Sequence, residues 1–255
     1  MRRSMESVMD KKHAKLLLGV VAKAPVPGMV KTRLIPHFTP EEAADLYRCF
    51  LQDRIQEISN LEGIDLAIAF TPADAEAAFV SFARNGFRLF AQRGRNLGER
   101  LHNIFLEKLA GGYDAVSIVD SDTPDLPGSM VKQSFHALIS EGADAILGPC
   151  EDGGYYLVGM RRPHPELFQD IPWSTATVLT ITLERAATLG IRTKLLSGWN
   201  DLDTLEDLIG FYNKHKNRAA QKNWAGEKTF NYLARRESQA PRFSARNDVL
   251  PGRGP

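Results

Sequence analysis

The stretch LLLGVVAKAPVPGMVKTRL, residues 16–34, passes from an apolar run straight into a loop with two prolines, one glycine and the cations Lys23, Lys31 and Arg33. An apolar run of that length, bounded by Pro and Gly, predicts a strand of a mostly parallel sheet. No acid lies between Asp10 and Glu41, so the strand delivers uncompensated positive charge at its carboxyl end. A helix follows. Thr39 supplies the N-cap, Pro40 the first helical position and Glu42 the far side of a capping box. Ala43, Leu46, Tyr47, Phe50, Leu51, Ile55 and Ile58 then form one apolar face at helical spacing.

The alternation continues outward. Strands are expected at 16–22, 64–70, 87–91, 115–120, 144–148, 154–160 and 192–196. A second helix is expected from Thr71-Pro72-Ala73-Asp74 to about Arg84, with others near 97–110, 127–141, 175–189 and 204–216. This is the pattern of an α/β fold, a Rossmann-like domain with a mostly parallel central sheet flanked by helices. One domain over 14–218 is expected, with a disordered extension at 1–13 and a C-terminal extension at 219–255. The end from Arg235 has few large apolar residues and no period, so the C-terminal extension is expected to be largely disordered.

Composition narrows the function. The 255 residues are 43% hydrophobic and 25% charged, with a formal net charge of +1. No global field recruits nucleic acid or an acidic membrane, so any anion site is local. Cys49 and Cys150 stand about a hundred residues apart in no metal or CxxC spacing, which argues against a disulfide framework and a zinc site. The basic N-terminus and the pattern Ala22-Lys23-Ala24 imitate a signal peptide. The short apolar run, the lysine at the cleavage position and the acids Glu6 and Asp10 argue against it. The cytoplasm is the expected compartment, and no run reaches membrane-spanning length.

In sheets of this kind, ligands sit at the carboxyl ends of the strands. The first loop there, with Lys23, Gly28, Lys31, Thr32 and Arg33, matches neither a Walker loop nor a dinucleotide fingerprint, but its charge suits phosphates. A second loop, AVSIVDSDTPDLP (115–127), brings Asp120, Asp122 and Asp125 into a turn; such oxygens suit Mg²⁺ or Mn²⁺, although Asp122 or Asp125 could instead cap the next helix. Asp120-Ser121-Asp122-Thr123 also matches the nucleophile motif of haloacid-dehalogenase phosphatases, but Pro124 stiffens the loop where that motif needs a small pair.

A third segment, GPCEDGGYYLVGM (148–160), sets Asp152 before Gly153-Gly154 and Tyr155. There Asp152 can bind hydroxyls or act as a base. In IPWSTATV (171–178), Trp173 precedes a helix opened by Ser174 or Thr175. In WNDLDTLEDL (199–208), Asp201 and Asp203 precede a helix capped by Asp203 or Thr204. A solvated loop, a glycine turn and simple caps are the bland accounts of these segments taken singly.

Together, KAPVPGMVKTRL, DTPDLP, GPCEDGGYYLVG, WST and DLDTLEDL resemble, in content and order over about residues 16–212, the GT-A nucleotide-diphospho-sugar transferase superfamily. The similarity points to its arsenosugar-biosynthesis-type or radical-SAM/selenodomain-associated glycosyltransferases. Molybdenum-cofactor and phospholactate nucleotidyltransferases are more distantly similar. The resemblance implies Lys23, Gly28, Lys31, Thr32 and Arg33 on nucleotide phosphates, with Gln92, Asn96 and Gly98 of QRGRNLGERL (92–101) near the nucleotide. It implies Mg²⁺ or Mn²⁺ on Asp122 and Asp203, with Asp120 an open third ligand. Asp152, Gly153, Gly154, Tyr155, Trp173, Ser174 and Thr175 would line the donor and acceptor side, and Asp122, Asp152 and Lys31 would carry catalysis. The implied partners are a nucleotide sugar or nucleoside triphosphate donor and a small-molecule acceptor. Glycosyl transfer is the first expectation, nucleotidyl transfer with pyrophosphate release the second, and a non-catalytic binding module the third.

Overall fold

The structure, a computed structural model, describes residues 14–83 and 86–239. Seven strands form one sheet: β1 (Leu16–Lys23), β2 (Ile64–Thr71), β3 (Arg88–Ala91), β4 (Ala115–Val119), β5 (Ala145–Pro149), β6 (Tyr155–Met160) and β7 (Thr193–Leu195). Their order is β3-β2-β1-β4-β6-β5-β7. All pairings are parallel except those of β6, which runs antiparallel to β4 and β5.

Six helices cover the two faces: α1 (Pro40–Ile58), α2 (Leu97–Ala110), α3 (Gly128–Ile139), α4 (Val178–Thr188), α5 (Leu205–His215) and α6 (Glu227–Gln239). Strand alternation divides the core between them. Leu18, Val20, Ile68 and Phe70 pack with α1, α3, α5 and α6, while Leu17, Ala67, Ala69 and Ile118 pack with α2 and α4. No helix among the described residues is long and apolar enough to cross a membrane. The chain leaves β1 toward β2 and β3, then crosses back to β4 on the other side. That switch point between β1 and β4 is where an open α/β sheet forms its ligand crevice.

The expected capping box forms, Thr39 with Glu42 on α1; on α5 Thr204, not Asp203, is the cap, and it makes a second box with Asp207. Three expectations change. Thr71-Pro72-Ala73-Asp74 opens no α-helix: Ala75, Ala78 and Phe79 bond back three residues, leaving a short 3-10 turn at Glu76–Ala78. Phe79 alone is fully buried there, stacked on Phe70, so the segment lacks an apolar face to hold a helix. The expected end near Arg84 lies outside the described residues.

The helix expected from 175 starts at Val178, because Ser174 sits in the left-handed region, with φ 66°. The C-terminal extension is ordered through α6. Phe230 and Leu233 are buried against α1 and α5, and Asp53 accepts from the backbone N–H groups of Lys228 and Thr229 at 2.9 and 2.8 Å. Arg236 bonds the Glu42 carboxylate and the His37 carbonyl. The expected disorder of 1–13 and 240–255 lies outside the described residues.

Candidate active site

A cleft of about 460 Å³ opens at the switch point, between the end of β1 and the loop after β4. The opening loop supplies Lys23, Lys31, Thr32 and Arg33 to it. Gly28, with φ 77°, turns the tip of that loop, and Leu34 anchors its far end in the core. Tyr47, from the apolar face of α1, accepts from the Lys23 N–H at 3.1 Å and pairs with Ser121 Oγ at 2.8 Å. One buried hydroxyl thus ties the two functional loops together.

Lys31 is the centre of the cleft. Its backbone is left-handed (φ 48°), and its side chain is 3% exposed. The ammonium lies 2.9 Å from Asp122 Oδ1 and 2.8 Å from Asp203 Oδ1, and donates to the Leu202 carbonyl at 2.9 Å. Burial disfavours the charge, but Asp122 and Asp203 outweigh it and raise the lysine's pKa. Burial also acts against ionised Asp203, and Lys31, followed by Arg33, holds its pKa below the usual value. Asp122 Oδ1 is buried and contacts the ammonium without hydrogen-bond alignment, so charge alone holds it.

Beyond this pair lies a second cavity of about 140 Å³. Cys150, Asp152, Gly154, Tyr155, Trp173 and Asp201 line it, and it shares Leu97, Asp120 and Ser174 with the cleft. Tyr155 and Trp173 meet edge to face, with centroids 6.2 Å apart. Asp152 accepts from the Gly154 N–H at 2.8 Å. Gly153 is required by contact: a Cβ there would lie 2.1 Å from the Ala176 carbonyl oxygen.

The acids on this side have little compensation. Burial, then Asp122, pushes Asp120 up to about 7. Burial, then Asp203 and Asp152, pushes Asp201 up to about 7. Asp120 Oδ1 accepts from Thr123 Oγ1 at 2.6 Å and the Asp122 N–H at 3.2 Å, so it closes its own turn. Arg54, fully buried, clamps the loop from behind by donating to the Thr123 and Leu126 carbonyls.

The structure therefore brings Lys23, Lys31, Thr32, Arg33, Gln92, Asp120, Asp122, Ser174 and Asp203 to one cleft, and Asp152, Gly154, Tyr155, Trp173 and Thr175 to its neighbour. Asn96 and Gly98 serve the wall instead. Asn96 caps α2 through the Glu99 N–H, and a Cβ on Gly98 would meet the Phe168 carbonyl oxygen at 2.4 Å. Neither Asp122 nor Asp125 caps α3, whose N-cap is Pro127. Asp125 instead accepts from Trp199, Lys214 and His215. Leu97 and Arg100 lie in the segment 92–101 that the resemblance put near the nucleotide, and both line the cleft; sequence reasoning missed Tyr47 and Ser121 as cleft residues, Tyr47 because its apolar helical spacing reads as core.

Hard carboxylate oxygens crowd one end of this site, and the two cations there, Lys31 and Arg33, both pair with Asp203. A divalent cation fits such a donor set. Cys150, Asp152 and Asp201 also present ligand atoms within 4.8 Å of one another, although the thiol is a softer ligand than Mg²⁺ prefers.

The family model described as "Uncharacterized protein conserved in bacteria (DUF2064)" matches residues 54–175. A crystal structure from Desulfovibrio desulfuricans G20, provisionally described as a nucleotide-diphospho-sugar transferase, is 34% identical to the chain. The superposition has a TM-score of 0.80 and covers 88% of this chain and 96% of that one. Two structures at 12% identity share the fold. One is CMP:2-keto-3-deoxy-manno-octonic acid synthetase complexed with CTP, with a TM-score of 0.53 over 80% of this chain and 100% of that one. The other is 4-diphosphocytidyl-2C-methyl-D-erythritol synthase from Anaerococcus prevotii DSM 20548, with a TM-score of 0.51 over 80% and 97%. No curated protein matches the chain.

Proposed function

The chain belongs to the nucleotide-diphospho-sugar transferase family and is an enzyme of the transferase class; from that premise we propose that it moves a glycosyl group from a nucleotide-activated donor to a small-molecule acceptor. Within the family we place it in the arsenosugar-biosynthesis-type or radical-SAM/selenodomain-associated branch, on the order of its five motifs, and in the cytoplasm. The observation that carries the function is the adjacency of a cation-lined cleft and an acid- and aromatic-lined cavity that share Leu97, Asp120 and Ser174.

Lys23, Arg33 and Arg100 are placed to neutralise donor phosphates and the charge that grows on them as the bond breaks. Asp122 and Asp203 would hold Mg²⁺ or Mn²⁺, which when bound supplies Lewis-acid stabilisation of the leaving phosphate. Lys31, which pairs with both carboxylates, would supply a further positive charge to the donor phosphates. Tyr155 and Trp173 give the acceptor an apolar wall, and Asp152 and Asp201 are placed to take the proton of its hydroxyl.

The density of cations in the opening loop favours a second reading, nucleotidyl transfer from a nucleoside triphosphate with release of pyrophosphate. A panel of nucleotide sugars and triphosphates, each with Mg²⁺, Mn²⁺ or EDTA, separates the two by product: nucleoside diphosphate for the first, pyrophosphate for the second. Asp122→Asn should lower turnover about 10²–10³-fold. Unchanged metal-dependent binding and turnover in that variant would refute the metal assignment.

A further inference from the structure

Gln92 follows β3 and lines the cleft. Its side-chain Nε2 donates to the Ala69 carbonyl at 2.7 Å and lies 3.5 Å from the Ala22 carbonyl. Two carbonyl oxygens face that end of the amide, and only an NH₂ group can serve them, so the chemistry fixes which end is nitrogen. The Oε1 atom accepts no hydrogen bond among the described residues. It is also not among the sealed, unpartnered atoms, so its open side is the cleft. An acceptor locked in place by its own amide's donor bonds demands a donor from the ligand.

The surroundings suit one part of a nucleotide. Met29, 68% exposed, and Leu97, 39% exposed, also line this cleft and offer apolar contact to a flat ring. The charged cluster of Lys31 with Asp122 and Asp203 stands toward β4, while the Gln92 amide lies against β2 and β1. Resting on the nucleotide-donor reading above, we propose that Gln92 reads the nucleobase: its Oε1 accepts a ring or exocyclic N–H of the base, with Met29 and Leu97 against the ring. A base that presents no donor there leaves a desolvated acceptor unpaired, and this is the basis of discrimination.

Calorimetric titration tests the assignment. UDP, CDP, GDP, ADP and inorganic pyrophosphate are titrated into the wild type in the presence of Mg²⁺, followed by the tightest nucleotide with its base N–H replaced by N–CH₃. The same ligands are then titrated into Gln92→Met. The expected result is a loss of about tenfold for the nucleotide in Gln92→Met, with pyrophosphate changed less than twofold. The N-methylated nucleotide should bind the wild type about tenfold more weakly and show no further loss in the variant.

An equal loss for pyrophosphate in Gln92→Met would make Gln92 a structural tie and overturn the proposal. So would an N-methyl penalty that persists undiminished in the variant. If the variant does not fold, the wild type decides alone: no N-methyl penalty overturns the assignment. Wild-type nucleotide and pyrophosphate affinities that are equal remove the base subsite but leave the phosphate reading standing. A wild type that binds no nucleotide overturns both.

Discussion

Asp125 on one side, and Asp120 and Asp201 on the other, are treated in opposite ways. Asp125 is buried, and burial opposes its charge. Hydrogen bonds from His215, Lys214 and Trp199, at 2.8, 2.9 and 2.8 Å, outweigh burial and hold it at about 2. The ring of His215 lies between Phe211 and Trp224, with centroids 4.7 and 4.8 Å away. Asp120 and Asp201 are half-buried; desolvation and neighbouring acids outweigh Arg54 beside the first and Lys31 beside the second, and both rise to about 7. The same fold saturates one carboxylate with donors and leaves two others, at the cleft, with like charges beside them. Acids whose pKa burial and like charges raise, lining a cleft, are candidates for a functional site.

The sharpest way to break this contrast is Asp125→Ala. It strands three donors, one of them on the buried His215 ring, and should cost about 4 kcal/mol in urea unfolding; a cost near zero would show that the knot is ornamental. Phe230→Ala comes next. It removes the ring stacked on Tyr212 and tilted against Trp224, and should cost about 3 kcal/mol. Full stability in that variant would show that α6 is not part of the packed body.

The pH dependence is smaller and has opposite signs in the two places. Asp120 and Asp201 bind protons more tightly folded than unfolded. Their contribution is fully present below the ordinary 3.8 and is lost as pH rises through about 7. Asp125 binds its proton less tightly folded, so its contribution is present above 3.8 and is lost as pH falls through about 2. The apparent Tm without divalent ions should therefore fall between about pH 4 and about pH 7, and Asp201→Asn should flatten that slope. A Tm that climbs over the same interval in the wild type would contradict the assignment of uncompensated acids.

Much of this could be read from local pattern. The strand runs, the capping box at Thr39, the cap at Thr204 and the charged loops at strand ends all depend on residues within a few positions of one another. The errors have the same origin. Thr71-Pro72-Ala73-Asp74 has the chemistry of a helix start, but the segment after it has no apolar face to bury. Asp125 sits where a cap would sit, yet its partners Trp199, Lys214 and His215 lie 74, 89 and 90 residues away. The extension after 219 has weak periodicity because α6 needs only a narrow apolar stripe, Phe230 and Leu233, to dock.

By itself, then, the sequence determined the alternating α/β order, the helix starts and the loops that carry charge, because propensity, periodicity and capping act over one or two turns. Tertiary structure alone decided which charges meet. Lys31 finds Asp203 across 172 residues, and the Gln92 amide is oriented by carbonyls of two other strands. Coulombic and hydrogen-bond energies depend on distance in space and on burial, and neither is a property of position along the chain.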